Sequence, residues 1–216
     1  MTQEHSLESL EADPLTSIAT SGRPDLRVAG GNRDVDLAAA QRAAGEFLAA
    51  LGVDLGAEAL RETPARMARA YAELFESPPF RLTTFPNDEG YDELVVARDI
   101  PFRTLCEHHL LPFFGVAHVG YLPGERILGL SKLARIVQHY AARPQTQERL
   151  TQQVADSLSA LLRPRGAGVV LQAEHTCMTL RGVQARGSTT ITSALLGTMR
   201  DDARSRAEFL GLAGVQ

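Results

Sequence analysis

Cysteine is scarce in this chain: Cys106 and Cys177 are the only two in 216 residues, too few for a disulfide framework. Two readings stay open, a single bridge between them or a pair of thiolate ligands. Lysine is scarcer still. One lysine, Lys132, stands against 21 arginines, which draws attention to its position, although chance would also leave one. The net charge of −4 excludes a generally basic nucleic-acid surface, so an anionic ligand would need a local cationic pocket. No apolar run approaches the roughly 18 residues needed to cross a bilayer, and the opening Met1-Thr2-Gln3-Glu4-His5 has neither the basic nor the apolar region of a secretory signal. These absences predict a cytoplasmic protein with no membrane and no nucleic-acid partner.

What is present is ordinary for a globular chain: 44% apolar and 22% charged residues, enough to bury a sizeable core. Residues 1–35 mix Ser, Gly, Pro and acidic side chains without periodicity and read as a disordered or mobile tail. Residues 36–90 read as a helical region. Leu37, Ala40, Ala44, Phe47, Leu48 and Leu51 recur at helical spacing before Gly52, and Met67, Tyr71, Leu74 and Phe75 form a second stripe behind Thr63-Pro64, a capping hydroxyl followed by a helix-starting proline. Either stripe serves core packing or subunit contact. Ser77-Pro78-Pro79 predicts a break, with loop to about Tyr91.

The catalytic domain is expected over 91–216. Strands are predicted from Glu93 to Thr104 and from Phe113 to Tyr121, with Arg126–Leu130 as the latter's hairpin partner across Pro123-Gly124. Two helices follow, marked by Leu133, Ile136, Val137 and Tyr140, then by Leu150, Val154, Leu158, Leu161 and Leu162, the second ended by Pro164. A strand over Val169–Cys177, a Thr-rich strand over Ser188–Leu195 and a last short helix capped by Asp201 or Asp202 and ending near Leu210 complete the chain. Hairpin-like strand pairs separated by helices predict an α+β fold with antiparallel sheet.

Cys106-Glu107-His108-His109 places a thiol and two imidazoles within four residues, and His175-Thr176-Cys177 lies some seventy residues downstream. Strand alternation predicts that His175 and Cys177 share a face at the end of the row Val169, Leu171, Ala173. If the fold joins the clusters, Cys106, His109 and Cys177 make a Cys2His ligand set with a fourth position open, the ligand count of a catalytic zinc site. His108 and His175 are then left beside the metal as proton carriers. His5, His118 and His139 read as structural. Ser131 is expected to cap a helix whose first turn holds Lys132 and Arg135; cations there oppose the helix dipole but suit an anion docked at the exposed N–H groups, and Arg181 is placed to join them. Gln147-Glu148 opens the next helix. A carboxylate there either accepts two N–H bonds from a guanine edge or simply favours the helix N-terminus, and the residues alone do not separate the two.

Five motifs in this order, CEHHLLPF, GLSKLARIVQ, RPQTQERLTQQ, HTCMTLRGVQ and STTITSALLG, closely resemble GTP cyclohydrolase I over roughly residues 36–212. The resemblance implies a zinc-dependent hydrolase that converts GTP and water to 7,8-dihydroneopterin triphosphate and formate, the entry to folate and other pterins. It implies zinc on Cys106, His109 and Cys177, proton transfer by His108 and His175, and Ser131 near the ribose. It further implies guanine recognition by Gln147 and Glu148, and triphosphate binding by Lys132, Arg135, Arg181 and Arg66. The fold it implies is the tunnelling fold, an antiparallel sheet with a helix pair on one face, preceded here by N-terminal helices. The assembly it implies is a toroidal homodecamer with active sites at subunit interfaces. Two other classes compete: a non-catalytic assembly with structural zinc, and a deazaguanine nitrile reductase relative, whose zinc-free cysteine signature is absent.

Overall fold

The stripe beginning at Leu37 folds as helix α1 (Leu37–Ala50), with Asp36 at its N-cap accepting a 2.8 Å bond from the Ala39 N–H, the partnership a short carboxylate makes at that position. Ahead of it, β1 (Asp25–Val28) pairs antiparallel with Phe80–Thr83. Part of the expected tail is therefore a strand; most of the rest lies outside the residues described by this computed structural model, which are 25–28, 34–77 and 79–214. Helix α2 (Thr63–Leu74) begins one residue earlier than its sequence suggests. Glu62 takes the N-cap position without a side-chain bond, Pro64 stands second, and Thr63 Oγ1 instead accepts from the Arg66 guanidinium at 3.2 Å.

Where a loop was expected the chain forms β2 (Phe80–Pro86), with Phe80 and Leu82 alternating into the core at 5% and 3% exposure. The nearby prolines, which read as loop, stand at its ends, where a missing N–H is tolerated. Next come β3 (Val95–Cys106), β4 (Pro112–Leu122) and β5 (Arg126–Leu128). The expected hairpin between β4 and β5 does not form. Both edges of β4 are taken, by β3 on one side and by β7 (Gly166–His175) on the other. The chain therefore carries β5 across to β2, making a three-stranded sheet in the order β1–β2–β5. Tyr121 ties this crossing, its hydroxyl accepting the Leu128 N–H at 2.9 Å.

Helix α3 (Leu130–Ala141), β6 (Pro144–Gln145) and α4 (Gln147–Leu162) precede β7; α5 (Thr176–Thr179), β8 (Thr190–Gly197), α6 (Thr198–Asp201) and α7 (Ala203–Ala213) follow it. The five-stranded sheet runs β6–β3–β4–β7–β8, antiparallel except where β6 joins β3. Helices α3 and α4 cover one face. Leu133, Ile136, Val137, Tyr140, Leu150 and Val154 are wholly buried there, each apolar side chain of this size worth about 1.5–3 kcal/mol. Ser157 donates to the Tyr140 hydroxyl at 2.6 Å, so the buried oxygens are satisfied. On the other face Phe209 of α7 packs with Met199 and Val170. This is the α+β architecture expected, with a helix pair on one sheet face.

Three local expectations shift. Helix α3 has Gly129 at its N-cap and no side-chain cap, so Ser131 lies inside the first turn and caps nothing. Strand β7 stops at His175, and Cys177 sits on α5, so strand alternation orients the imidazole but not the thiol. Asp202 does cap the last helix, accepting from Ser205 N–H at 2.7 Å, but that helix continues past Leu210 to Ala213. Among the described residues no helix is long and apolar enough to cross a membrane.

The β4–β7 pairing is unusually close at Gly115, where an added Cβ would stand 1.9 Å from the Gln172 carbonyl oxygen. Backbone cannot yield there without parting the strands. Gly115→Ala should destabilise the protein by about 3 kcal/mol, which for a chain of this size lowers Tm by roughly 6–12 °C in a calorimetric or fluorescence melt. An unchanged Tm would mean that the strands part at little cost.

Candidate active site

The link from β3 to β4 is a tight turn. Cys106 O accepts the Leu110 N–H at 2.7 Å, the Cys106 N–H donates to Leu111 O at 2.8 Å, and Leu110 takes a left-handed φ of 52°. Two neighbours pin this turn from outside. The Glu107 N–H donates to Gln145 O at 3.0 Å, and the Tyr71 hydroxyl on α2 donates to Leu110 O at 3.3 Å. Arg149 on α4 adds a clamp: its guanidinium donates to Gln145 Oε1 at 2.8 Å and Pro144 O at 3.1 Å, and ion-pairs with Glu107. Nothing in the sequence marks Arg149, because its partners come from two other segments, β6 and the turn after β3.

Strand β4 then carries the chain alongside β7, with Phe113 opposite His175. The Thr176 hydroxyl donates to Pro112 O at 2.6 Å, which docks the start of α5 against the end of the turn. The two clusters meet here. The ligand atoms of Cys106, His109 and Cys177 all lie within 4.8 Å of one another. Cys106 Sγ does not by itself choose between the adjacent imidazoles, standing 3.8 Å from His108 Nδ1 and 3.9 Å from His109 Nδ1. Cys177 makes the choice, since it is with His109 that the three-residue group forms. Both thiols are free and buried while His109 is exposed, so no bridge joins the sulfurs and the group is accessible from one side. Burial, and next the adjacent Cys106 thiol, push the Cys177 thiol up, with the Arg181 guanidinium acting the other way. A bound cation would override both by displacing the proton. Two sulfurs and one imidazole suit a soft or borderline cation.

Around this group stand some of the other candidates. Arg181 donates to His109 Nε2 at 3.4 Å. The His175 ring is stacked on Phe113, centroids 4.3 Å apart and planes 10° apart, and its Nε2 lies 2.8 Å from Gln147 Oε1. Burial holds the His175 pKa below its ordinary 6.5, the nearby Glu148 carboxylate working in the opposite direction. Glu148 is exposed in the first turn of α4. Gln147 is buried, its amide nitrogen bonded to Leu171 O, Thr190 O and Thr192 Oγ1 at 3.1, 2.9 and 3.1 Å.

The remaining cations are carried by α2 and α3. Helix α3 starts beside β2, where the Gly129 N–H donates to Thr83 O, and ends beside β3, where Arg143 O accepts from the Thr104 hydroxyl. Ser131 and Lys132 lie in the first turn of α3 and Arg135 in the second, so Lys132 stands about 14 Å along the helix axis from the end next to Cys106, at about 1.5 Å per residue. Arg66 donates to Ala59 O and Thr63 Oγ1 at the start of its own helix. His118 and His139 are buried and engaged, His118 Nδ1 accepting from Asp99 N–H at 3.4 Å and His139 Nδ1 lying 2.9 Å from Ser77 Oγ.

A family model described as GTP cyclohydrolase I matches residues 40–214. The chain belongs to the GTP cyclohydrolase I family. It is 52% identical over 184 residues to GTP cyclohydrolase 1 of Mycolicibacterium gilvum, which covers 83% of this chain and 91% of that protein. It is 50% identical over 166 residues to GTP cyclohydrolase 1 of Aquifex aeolicus, covering 77% and 90%, and 49% identical over 184 residues to that of Rhodopirellula baltica, covering 84% and 80%. Among solved structures, the crystal structure of the archaeosine synthase QueF-Like in the apo form aligns with 48% of this chain and 93% of that one at 17% identity and a TM-score of 0.41, an overlap too partial to bear on the site. Membership in the GTP cyclohydrolase I family makes the chain a hydrolase, and the sheet with its helix pair is its tunnelling fold.

For this family member the metal group is directly testable. Cys177→Ser should reduce tightly held divalent metal, measured by elemental analysis after dialysis, from about one ion per chain to a small fraction of that. Retention of a full equivalent would show that the ion sits elsewhere.

Proposed function

We propose that the protein is a zinc-dependent GTP cyclohydrolase that converts GTP and water to 7,8-dihydroneopterin triphosphate and formate. The observation that carries this reading is the junction of Cys106, His109 and Cys177 beside two further imidazoles, in a chain of this family. The donors fit the ion. Thiolate and imidazole bind zinc at about 2.3 and 2.0–2.1 Å, which puts donors around one tetrahedral ion roughly 3.5–3.8 Å apart, against the 3.9 Å from Cys106 Sγ to His109 Nδ1. Bound there, zinc would supply water activated near neutral pH.

The protein groups then divide the work. Glu148, exposed at the start of α4, accepts the N–H groups of the guanine edge, with Gln147 beside it in the recognition segment. His175 supplies a proton at guanine N7 as water adds at C8; the hydrate then opens by breaking the C8–N9 bond, its hydroxyl proton passing to N9, which leaves C8 as a formyl group on N7. A second hydrolysis breaks the remaining bond to C8 and releases that carbon as formate. His108, 3.8 Å from Cys106 Sγ, serves as acid at the ribose ring oxygen, and Ser131 contacts the ribose. The opened sugar rearranges and closes onto the freed nitrogen to form the pterin ring. Arg181 stands at the metal group and binds phosphate together with Lys132, Arg135 and Arg66.

Lys132 stands about 14 Å along α3 from the end next to Cys106, and we propose that neighbouring copies complete the phosphate site. Two features favour assembly, to the decamer implied by the family. Strand β8 forms an edge of the five-stranded sheet, which would otherwise invite uncontrolled pairing, and Phe47 and Leu51 of the α1 stripe are 55% and 66% exposed. Soluble, cytoplasmic residence accords with this reading.

GTP incubated with the metal-loaded protein should release formate and, after oxidation, a fluorescent pterin, both abolished by a chelator and restored by zinc. Metal binding without formate would favour a structural zinc protein, and formate without pterin a related hydrolase. Lys132→Ala should raise KM for GTP about tenfold or more, the loss of one charge-assisted phosphate contact, with bound metal unchanged. An unaltered KM would remove Lys132 from the phosphate site.

A further inference from the structure

The carboxamide of Gln147 is committed to the protein in a way that dictates its orientation. Its nitrogen faces Leu171 O, Thr190 O and Thr192 Oγ1 at 3.1, 2.9 and 3.1 Å. Two of these are backbone carbonyls, which only accept, so the NH2 group must lie on that side and Oε1 on the other. Oε1 is 2.8 Å from His175 Nε2. An amide oxygen carries no hydrogen, so the imidazole must donate. The proton of neutral His175 therefore resides on Nε2, and Nδ1 keeps the lone pair. Phe113, wholly buried, stacks beneath the ring at 4.3 Å and fixes its plane. The anchor is itself rigid. Thr151 Oγ1 donates to Gln147 O at 2.7 Å, and the Thr151 and Thr192 hydroxyls lie 2.7 Å apart, which joins α4, β7 and β8 in one network.

We propose that Gln147 is a positioning residue, holding His175 in the Nε2–H tautomer so that Nδ1 is the atom that exchanges protons with substrate, and that its side chain does not read the guanine edge. This rests on the cyclohydrolase reading for the identity of the substrate; the tautomer itself does not. Base recognition falls to the adjacent Glu148, whose side chain is exposed while that of Gln147 is buried at 2% exposure. With Nε2–H held by Gln147, Nδ1 is the nitrogen that takes up a proton and delivers it to the substrate, whereas an imidazole released from this bond can carry its proton on either nitrogen. Loss of a general acid–base group's function is commonly worth 10²–10⁴-fold in rate, whereas loss of a base-reading contact appears in binding.

Two measurements separate the roles. Solid-state 15N NMR of histidine-labelled, zinc-loaded protein, with the His175 signal assigned by its disappearance in His175→Gln, should show Nε2 protonated and Nδ1 bare. Nδ1–H in the wild-type chain overturns the proposal, with or without turnover of GTP. Kinetically, Gln147→Met should lower kcat on the order of 100-fold with KM for GTP within about threefold and bound zinc unchanged. Gln147→Glu, which keeps an acceptor towards His175, should recover a large part of kcat. A tenfold rise in KM with kcat retained in the methionine variant would return Gln147 to the guanine site and overturn the proposal. Should that variant fail to fold, the NMR measurement on the wild-type protein still decides. Absence of any GTP turnover in the wild-type enzyme would instead defeat the cyclohydrolase reading and leave the tautomer result standing.

Discussion

Strand β4 holds the site together by pairing on both edges. Its start opposes the end of β3, Pro112 facing Leu105, and one residue later Phe113 faces His175 on β7. A turn carrying Cys106 and His109 and a helical turn carrying Cys177 can converge on one point only while those two registers hold. Register in a sheet is a two-state matter, because a slip of one residue turns every side chain to the other face. The close approach at Gly115 belongs to the same constraint, since the spacing of β4 and β7 there admits no side chain.

The surroundings of the metal group are stiff in complementary ways. The Cys106–Leu111 turn is held by backbone bonds and by Arg149, whose contacts reach Gln145, Pro144 and Glu107. His175 is held by an aromatic face and an amide. Such outer contacts would keep the proposed ligands and the proposed proton carrier within the narrow geometry that catalysis requires. The arginines and the lone lysine are arranged differently. Apart from Arg181, the proposed phosphate-binding cations are carried by the first two turns of α2 and α3.

Much of the fold was legible in the sequence because its helices carry long apolar stripes at one period and β7 the apolar run Val169-Val170-Leu171. The misreadings share a cause. Strand β2 was hidden by prolines that mark loops in isolation but are harmless at strand ends. Strand β5 was given to β4 because adjacency in sequence suggests a hairpin, and nothing local reveals that β4 has no free edge. Cys177 was placed on a strand because period-2 alternation does not announce where a strand gives way to a helical turn.

The chemistry of the ligand set was written in the sequence: which side chains bear sulfur or imidazole, how closely Cys106 and His109 are spaced, and that Cys177 follows His175 at two residues. Side-chain identity and short spacing are local properties, and a chain carries them before it folds. Tertiary structure alone decided that the two clusters meet on one point and that the Gln147 amide faces His175. Each of these depends on contacts between residues far apart in the chain, and such contacts follow from packing and strand register rather than from any neighbouring residue.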